Sequence, residues 1–156
     1  MKSLSNTVYI PKENEKEISF MLYNYNRIDE LIEERKEQLI DKIKVTNNAY
    51  LKSINKPCNT LEDTIIRISE DRKIYKLEMW KKIINRFLSE LYDEEDKFYY
   101  SLIRYKYFHK INEEVIREKM NLSKDEFKEI DIFLKWTIYN RAIKEKIFTE
   151  EVNCNA

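Results

Sequence analysis

The sequence predicts an all-α fold, a long antiparallel helical hairpin followed by a helix-turn-helix domain. Three observations carry that prediction. The chain has 156 residues, no glycine and only two prolines. Apolar residues recur at steps of three, four and seven over most of its length. Charged residues make up 37% of it, against roughly one quarter in ordinary globular domains, as suits long helices washed by solvent.

The missing glycine excludes whole classes. Tight β-hairpins and phosphate-cradling loops draw on glycine for positive φ, so a β-barrel, a Rossmann fold and a P-loop are all disfavoured. Hydrophobic residues, at 42%, supply enough apolar surface for a core and argue against global disorder.

Residues 1–14 are polar and interrupted by Pro11, and read as a flexible N-terminus. A helical pattern starts near Glu15. Ile18, Leu22, Tyr25, Ile28, Ile32, Leu39 and Ile43 share one stripe, with Glu30, Glu33, Glu34, Lys36 and Glu37 mostly opposite. The pattern fades around Val45-Thr46-Asn47-Asn48, and Asn47 to Asn59, with Pro57, reads as a connector. Thr60 then starts a second helix, with Asp63 in its first turn facing the N-terminal dipole. Its stripe is Leu61, Ile65, Ile68, Tyr75, Met79, Ile83, Phe87 and Leu91. Two long helices joined by a short connector pack as a hairpin, here residues 15–91. Both stripes read as core.

Residues 92–148 form the second predicted domain. Asp93 is an N-cap candidate with three acids behind it, for a helix running to about His109. Asn112 caps a short helix, Glu113 to Met120. Asn121-Leu122 makes a tight turn. Ser123, with Glu126 three residues on, is a capping box for a last helix ending near Phe148. That helix carries Phe127, Ile130, Phe133, Leu134, Ile138 and Ile147. Residues 149–156 read as a flexible tail.

Net charge is zero, with 29 basic and 29 acidic residues. A nucleic-acid binder usually carries a net basic field, so any such binding has to rest on a local patch. Cys58 and Cys154 lie outside any metal-ligand spacing and read as free thiols. No apolar run reaches the length of a membrane span, and no apolar signal region follows Lys2, so the expectation is a cytoplasmic protein with no membrane partner. His109 has no cysteine near it, and no nucleophile motif or Glu-x-x-His pair occurs. The sequence therefore predicts no enzyme, no cofactor and no metal site.

The informative stretch is the helix, short helix, tight turn and longer helix from Asp93 to Phe148, the layout of a helix-turn-helix. In that motif the last helix enters the major groove and its N-terminal turns touch bases and phosphates. Those turns offer Ser123, Lys124 and Lys128, with Lys135 further along. The preceding helix offers Arg104, Lys106 and Lys110, interleaved with Tyr105, Tyr107 and Phe108. From Lys97 to Lys110 the chain holds four basic residues and no acid.

Leu102-Ile103-Arg104-Tyr105-Lys106-Tyr107-Phe108, Asn112-Glu113-Glu114-Val115-Ile116 and Met120-Asn121-Leu122-Ser123 resemble phage transcription regulators of the RinA/ArpU type. The C-terminal part of those proteins resembles the promoter-reading domain of sigma factors. Phe127 stands where the family has an aromatic residue. Leu22 to Asp29 resembles the family's opening helix. Three departures stand out. Lys110 lies near a position where glycine is common, Arg117 stands where a small residue follows the isoleucine, and the last helix carries Asp125, Glu126, Glu129 and Asp131. The resemblance implies a transcription regulator that contacts double-stranded promoter DNA, with RNA polymerase as a second partner it allows. A phage DNA-packaging recognition subunit is an alternative, as is an interaction module whose helix-turn-helix no longer binds DNA. The length of the apolar stripes predicts a homodimer.

Overall fold

Pro11, with φ fixed near its helical value and no N–H to leave unpaired, opens the first helix, α1 (Lys12–Tyr23). The computed structural model describes residues 9–51, 60–94 and 97–148. Residues 1–8, the connector residues 52–59 with Pro57 and Cys58, and the tail 149–156 with Cys154 lie outside that description. Among the described residues every regular element is helical. After α1 come α2 (Ile28–Leu51), α3 (Thr60–Glu70), α4 (Arg72–Asp93), α5 (Phe98–Ile103), α6 (Glu113–Met120) and α7 (Lys124–Lys144). A 3-10 turn, Tyr25–Arg27, joins α1 to α2, and a π-helical segment, Arg104–Phe108, prolongs α5.

Each arm of the expected hairpin is broken. The first stops at Asn24, whose N–H and side-chain Nδ2 both donate to the Phe20 carbonyl, at 3.0 and 2.8 Å. The amide competes with the backbone and ends the helix, and the stripe resumes past it. The second arm breaks at Asp71. Its Oδ1 accepts the Ile74 N–H at 3.0 Å and so caps α4 afresh. Other boundaries move too. Helix α1 begins at Lys12, ahead of Glu15. Helix α2 runs on to Leu51, past the expected fading at Asn48. Asp93 ends α4 instead of capping the next helix, which Lys97 precedes. Helix α7 stops at Lys144, and Ile147 and Phe148 follow it as buried non-helical residues.

The chain divides into two compact units, one of Met1–Asn26 with Trp80–Ala156, the other of Arg27–Met79. The N-terminal helix thus belongs with the C-terminal helices, where the sequence had placed it in a separate hairpin. In the larger unit α1 packs on α7 and on the π-helical segment. Its core includes Ile18, Leu22, Trp80, Ile84, Leu102, Ile103, Tyr107, Ile116 and Ile138, all essentially inaccessible. Trp80 meets Phe148 edge-on, with centroids 5.6 Å apart, and its Nε1 reaches Glu17 at 3.4 Å. In the smaller unit α2 contacts α3, and Arg35 grips both Asp71 oxygens, Nε at 3.3 Å and Nη2 at 2.9 Å. Among the described residues the buried apolar ones there are Ile28, Ile32 and Ile74.

Candidate nucleic-acid interface

Helix α6, a three-residue turn and α7 are fixed by local chemistry. The Glu114 N–H donates to Asn112 Oδ1 at 3.0 Å, capping α6. At the other end Asn121 takes left-handed backbone, φ 54 and ψ 51. The Leu122 N–H then donates to the Arg117 carbonyl at 2.9 Å and the Asn121 N–H to the Glu118 carbonyl at 3.4 Å, the paired bonds of a Schellman closure. Glycine would adopt this backbone freely. In a chain without glycine, asparagine is the residue that tolerates it best. Ser123 Oγ accepts the Glu126 N–H at 3.1 Å and starts α7. Ile116 and Phe127 anchor the two helices in the core.

This geometry exposes Ser123, Lys124 and Lys128 together at the start of α7. Asp125, Glu126 and Glu129 are exposed on the same turns, and Glu113, Glu114, Glu118 and Lys119 on α6. Arg104 and Lys110 are exposed at the π-helical segment and just beyond it. Arg104 lies 5.7 Å from the Tyr100 ring centroid, and Lys110 is left-handed, φ 51, near the position where the resemblance has glycine. Arg117, which stands where a small residue was expected, is half-buried and lies 3.9 Å from Glu113.

Lys106 and Lys135, expected at the nucleic-acid face, turn inward instead. Both reach Asp131 Oδ2, Lys106 at 2.8 Å and Lys135 at 3.2 Å, and Lys135 also lies 3.5 Å from Glu15. Tyr107 Oη donates to Asp131 Oδ1 at 2.5 Å. The reason is the burial of Asp131, only 6% exposed, since a buried carboxylate needs both charge compensation and hydrogen bonds. Burial and the adjacent Asp131 carboxylate push the Tyr107 phenol far above its ordinary range, and the same two causes raise Tyr23. Tyr107 therefore stays protonated and donates. The cluster links α7, the π-helical segment and α1, and so fixes the angle at which α7 presents Lys124 and Lys128.

Sequence reasoning missed this cluster. The one local signal was the i,i+4 spacing of Asp131 and Lys135; Glu15 and Tyr107 come from distant segments. It also missed Lys119, 5.3 Å over the Tyr105 ring, and Lys97, 3.7 Å over Tyr92. Among the described residues no three His, Cys, Asp or Glu side chains gather as a metal would need, and no helix is long and apolar enough to cross a membrane. No family profile, curated protein or solved structure matches this chain. The geometry of the site itself carries the functional reading.

Proposed function

We propose that the protein is a DNA-binding transcription regulator of phage or prophage type, with α7 as its recognition helix. The observation that carries the reading is the capped, exposed start of α7, where Ser123, Lys124 and Lys128 project beside a tight left-handed turn. A helix N-terminus brings partial positive charge to phosphate, and two lysines in the first turns add full charges. Arg104 and Lys110 contribute sequence-independent attraction. The assembly that goes with this reading is a homodimer, supported by the exposed apolar residues Leu61, Ile65 and Ile66 on α3.

The test is affinity for duplex DNA at two salt concentrations. Replacing Lys124 and Lys128 together with Glu is expected to weaken binding and to flatten its salt dependence by roughly 0.9 in log-log slope per lost phosphate contact. Replacing Asp125 and Glu129 with Ala is expected to strengthen it, because both acids stand beside the lysines. Duplex affinity that ignores both pairs of substitutions would sink the proposal.

A second reading is favoured by one observation. The exposed surface of α6 and the first turns of α7 holds six carboxylates, Glu113, Glu114, Glu118, Asp125, Glu126 and Glu129, against the three lysines Lys119, Lys124 and Lys128. That balance suits a protein partner with a basic surface. In that case wild-type protein gives no duplex binding even at low salt, and the helix-turn-helix serves as an interaction module.

A further inference from the structure

In the larger unit Tyr25, the end of α4, and α5 with its π-helical continuation enclose an open groove of about 650 Å3. That volume falls within the roughly 300–1,000 Å3 typical of ligand sites. None of its lining residues belongs to α6 or α7. Four aromatic rings line it, Tyr25, Tyr92, Tyr100 and Phe108. Tyr25 and Phe108 stack, with centroids 5.2 Å apart and planes 20° apart, and Tyr92 meets Tyr100 edge-on at 5.3 Å. The Tyr25 hydroxyl donates to Asn85 Oδ1, which fixes that ring in place. Tyr92 is 50% exposed. Cations sit on two of the rings, Lys97 Nζ 3.7 Å from the Tyr92 centroid and the Arg104 guanidinium 5.7 Å from that of Tyr100. Arg104 is exposed, and its side-chain hydrogen bond is to His109 Nε2 at 3.5 Å, not to a carboxylate. Most of its donors therefore remain open to a ligand.

We propose that this groove binds single-stranded nucleic acid, with unpaired bases laid against the exposed tyrosine rings and Arg104 on a neighbouring phosphate. Every base has a π-face, so rings interleaved with cations hold a strand whatever its sequence. Asn85, Ser89 and Asp93 at the rim offer hydrogen-bonding groups to a base edge. A proline-rich peptide also docks on aromatic grooves, and charge decides against it. The segment Lys97 to Lys110 carries the exposed cations Lys97, Arg104 and Lys110 and no acid, a balance that suits an anionic strand. A duplex keeps its bases stacked on one another and cannot use the rings. The inference therefore goes beyond the recognition helix and does not depend on it.

Fluorescence anisotropy with a short, unstructured single strand of mixed sequence, with an abasic strand of the same length, and with a duplex provides the test. The single strand is expected to bind saturably. The abasic strand, equal in charge, is expected to bind about fivefold more weakly, or worse, for each stacked base it lacks. Tyr92→Ala is expected to weaken single-strand binding about fivefold and to leave duplex affinity unchanged, while Tyr92→Phe, which keeps the ring, binds as wild type does. Arg104→Gln is expected to lower the log-log salt slope for the single strand by roughly 0.7, one phosphate contact. Should Tyr92→Ala fail to fold by circular dichroism, the exposed Arg104→Gln carries the test through that slope. The duplex arm reads the α7 proposal separately, so either reading can fail without the other. The proposal is overturned if no single strand binds, if the abasic strand binds equally well, or if the folded groove variants bind as wild type does. Saturable binding of a proline-rich peptide in place of the strand also overturns it and makes the groove a peptide site.

Discussion

Leu61, Ile65 and Tyr75 continue the same apolar repeat as Ile83, Phe87 and Leu91, yet the two halves end differently. The first three are 69%, 58% and 56% exposed, the last three 5%, 2% and 6%. Periodicity decides which face of a helix is apolar. Whether that face is covered depends on what else the fold brings to it. In the larger unit that face is covered: α4 itself adds the buried Trp80 and Ile84, and Phe148, just past α7, packs edge-on against Trp80. In the smaller unit the stripe of α3 stays open, and the neighbouring α2 is rich in charge.

The largest difference should lie in stability. Trp80→Ala removes a side chain that is 1% exposed and should cost about 3–5 kcal/mol in urea unfolding. Ile65→Ala, on the open half of the stripe, should stay within about 0.5 kcal/mol. If the open half is a dimer surface, Ile65→Glu should instead shift sedimentation towards monomer at micromolar concentration. Equal costs for the two Ala variants would break the comparison.

Asp131→Ala should come next, at about 3 kcal/mol, because it leaves the buried Lys135 and the half-buried Lys106 without their shared partner. Asp131→Asn should recover part of that by keeping a hydrogen bond to Tyr107. A cost below about 1 kcal/mol for the Ala variant would mean the two lysines escape to solvent, and with them the fixed angle of α7.

The smaller unit has a milder counterpart in Asp71. Removing its cap with Asp71→Ala should cost about 1 kcal/mol. The Arg35 guanidinium, and after it the Ile74 and Lys73 N–H groups, hold its carboxyl below the usual carboxylate range. A carboxyl depressed in the folded state stabilises above its unfolded pKa, near ~3.9, and loses that contribution as pH falls through the folded value. The stability gap between wild type and Asp71→Asn, which keeps a capping oxygen, should therefore be present at neutral pH and close in strong acid. A gap that persisted below both pKa values would point to packing rather than charge.

The smallest effect expected is at the turn. Asn121→Gly relieves a left-handed residue and should stabilise by up to about 1 kcal/mol, whereas Asn121→Ala should destabilise by a similar amount. Thermal unfolding resolves both. Loss of stability with glycine would show that the Asn121 side chain matters more than its backbone.

The sequence made the α6–α7 region legible and the α1–α4 region only partly so, and the reason is range. Asn112, Asn121 and Ser123 act on backbone groups within three or four residues, so their pattern is visible in the chain itself. Asp71 looks like one more surface acid. What makes it a break is its own cap on α4 together with Arg35, thirty-six positions away. Asn24 sits inside an unbroken apolar rhythm, so the rhythm masked the stop. Lys106 and Lys135 read as surface cations because lysine usually is one. Asp131 read as one of the four acids that set the last helix apart from the family it resembles. Its burial, which reverses both readings, depends on α1 packing against α7, a contact across more than a hundred residues.

The π-helical segment Arg104–Phe108 has a consequence for how this region tolerates change. Its closing bond joins the His109 N–H to the Arg104 carbonyl at 2.9 Å, one residue wider than an α-turn. Such a turn is an α-helix with one residue too many. Deleting a single residue from it would restore ordinary winding and change the angle at which the side chains of the segment project from the helix axis. Lys106 and Tyr107 would then no longer converge on Asp131. Substitutions on the exposed side of the segment leave that convergence alone. Here the number of residues, more than their identity, keeps the interior ion cluster in register.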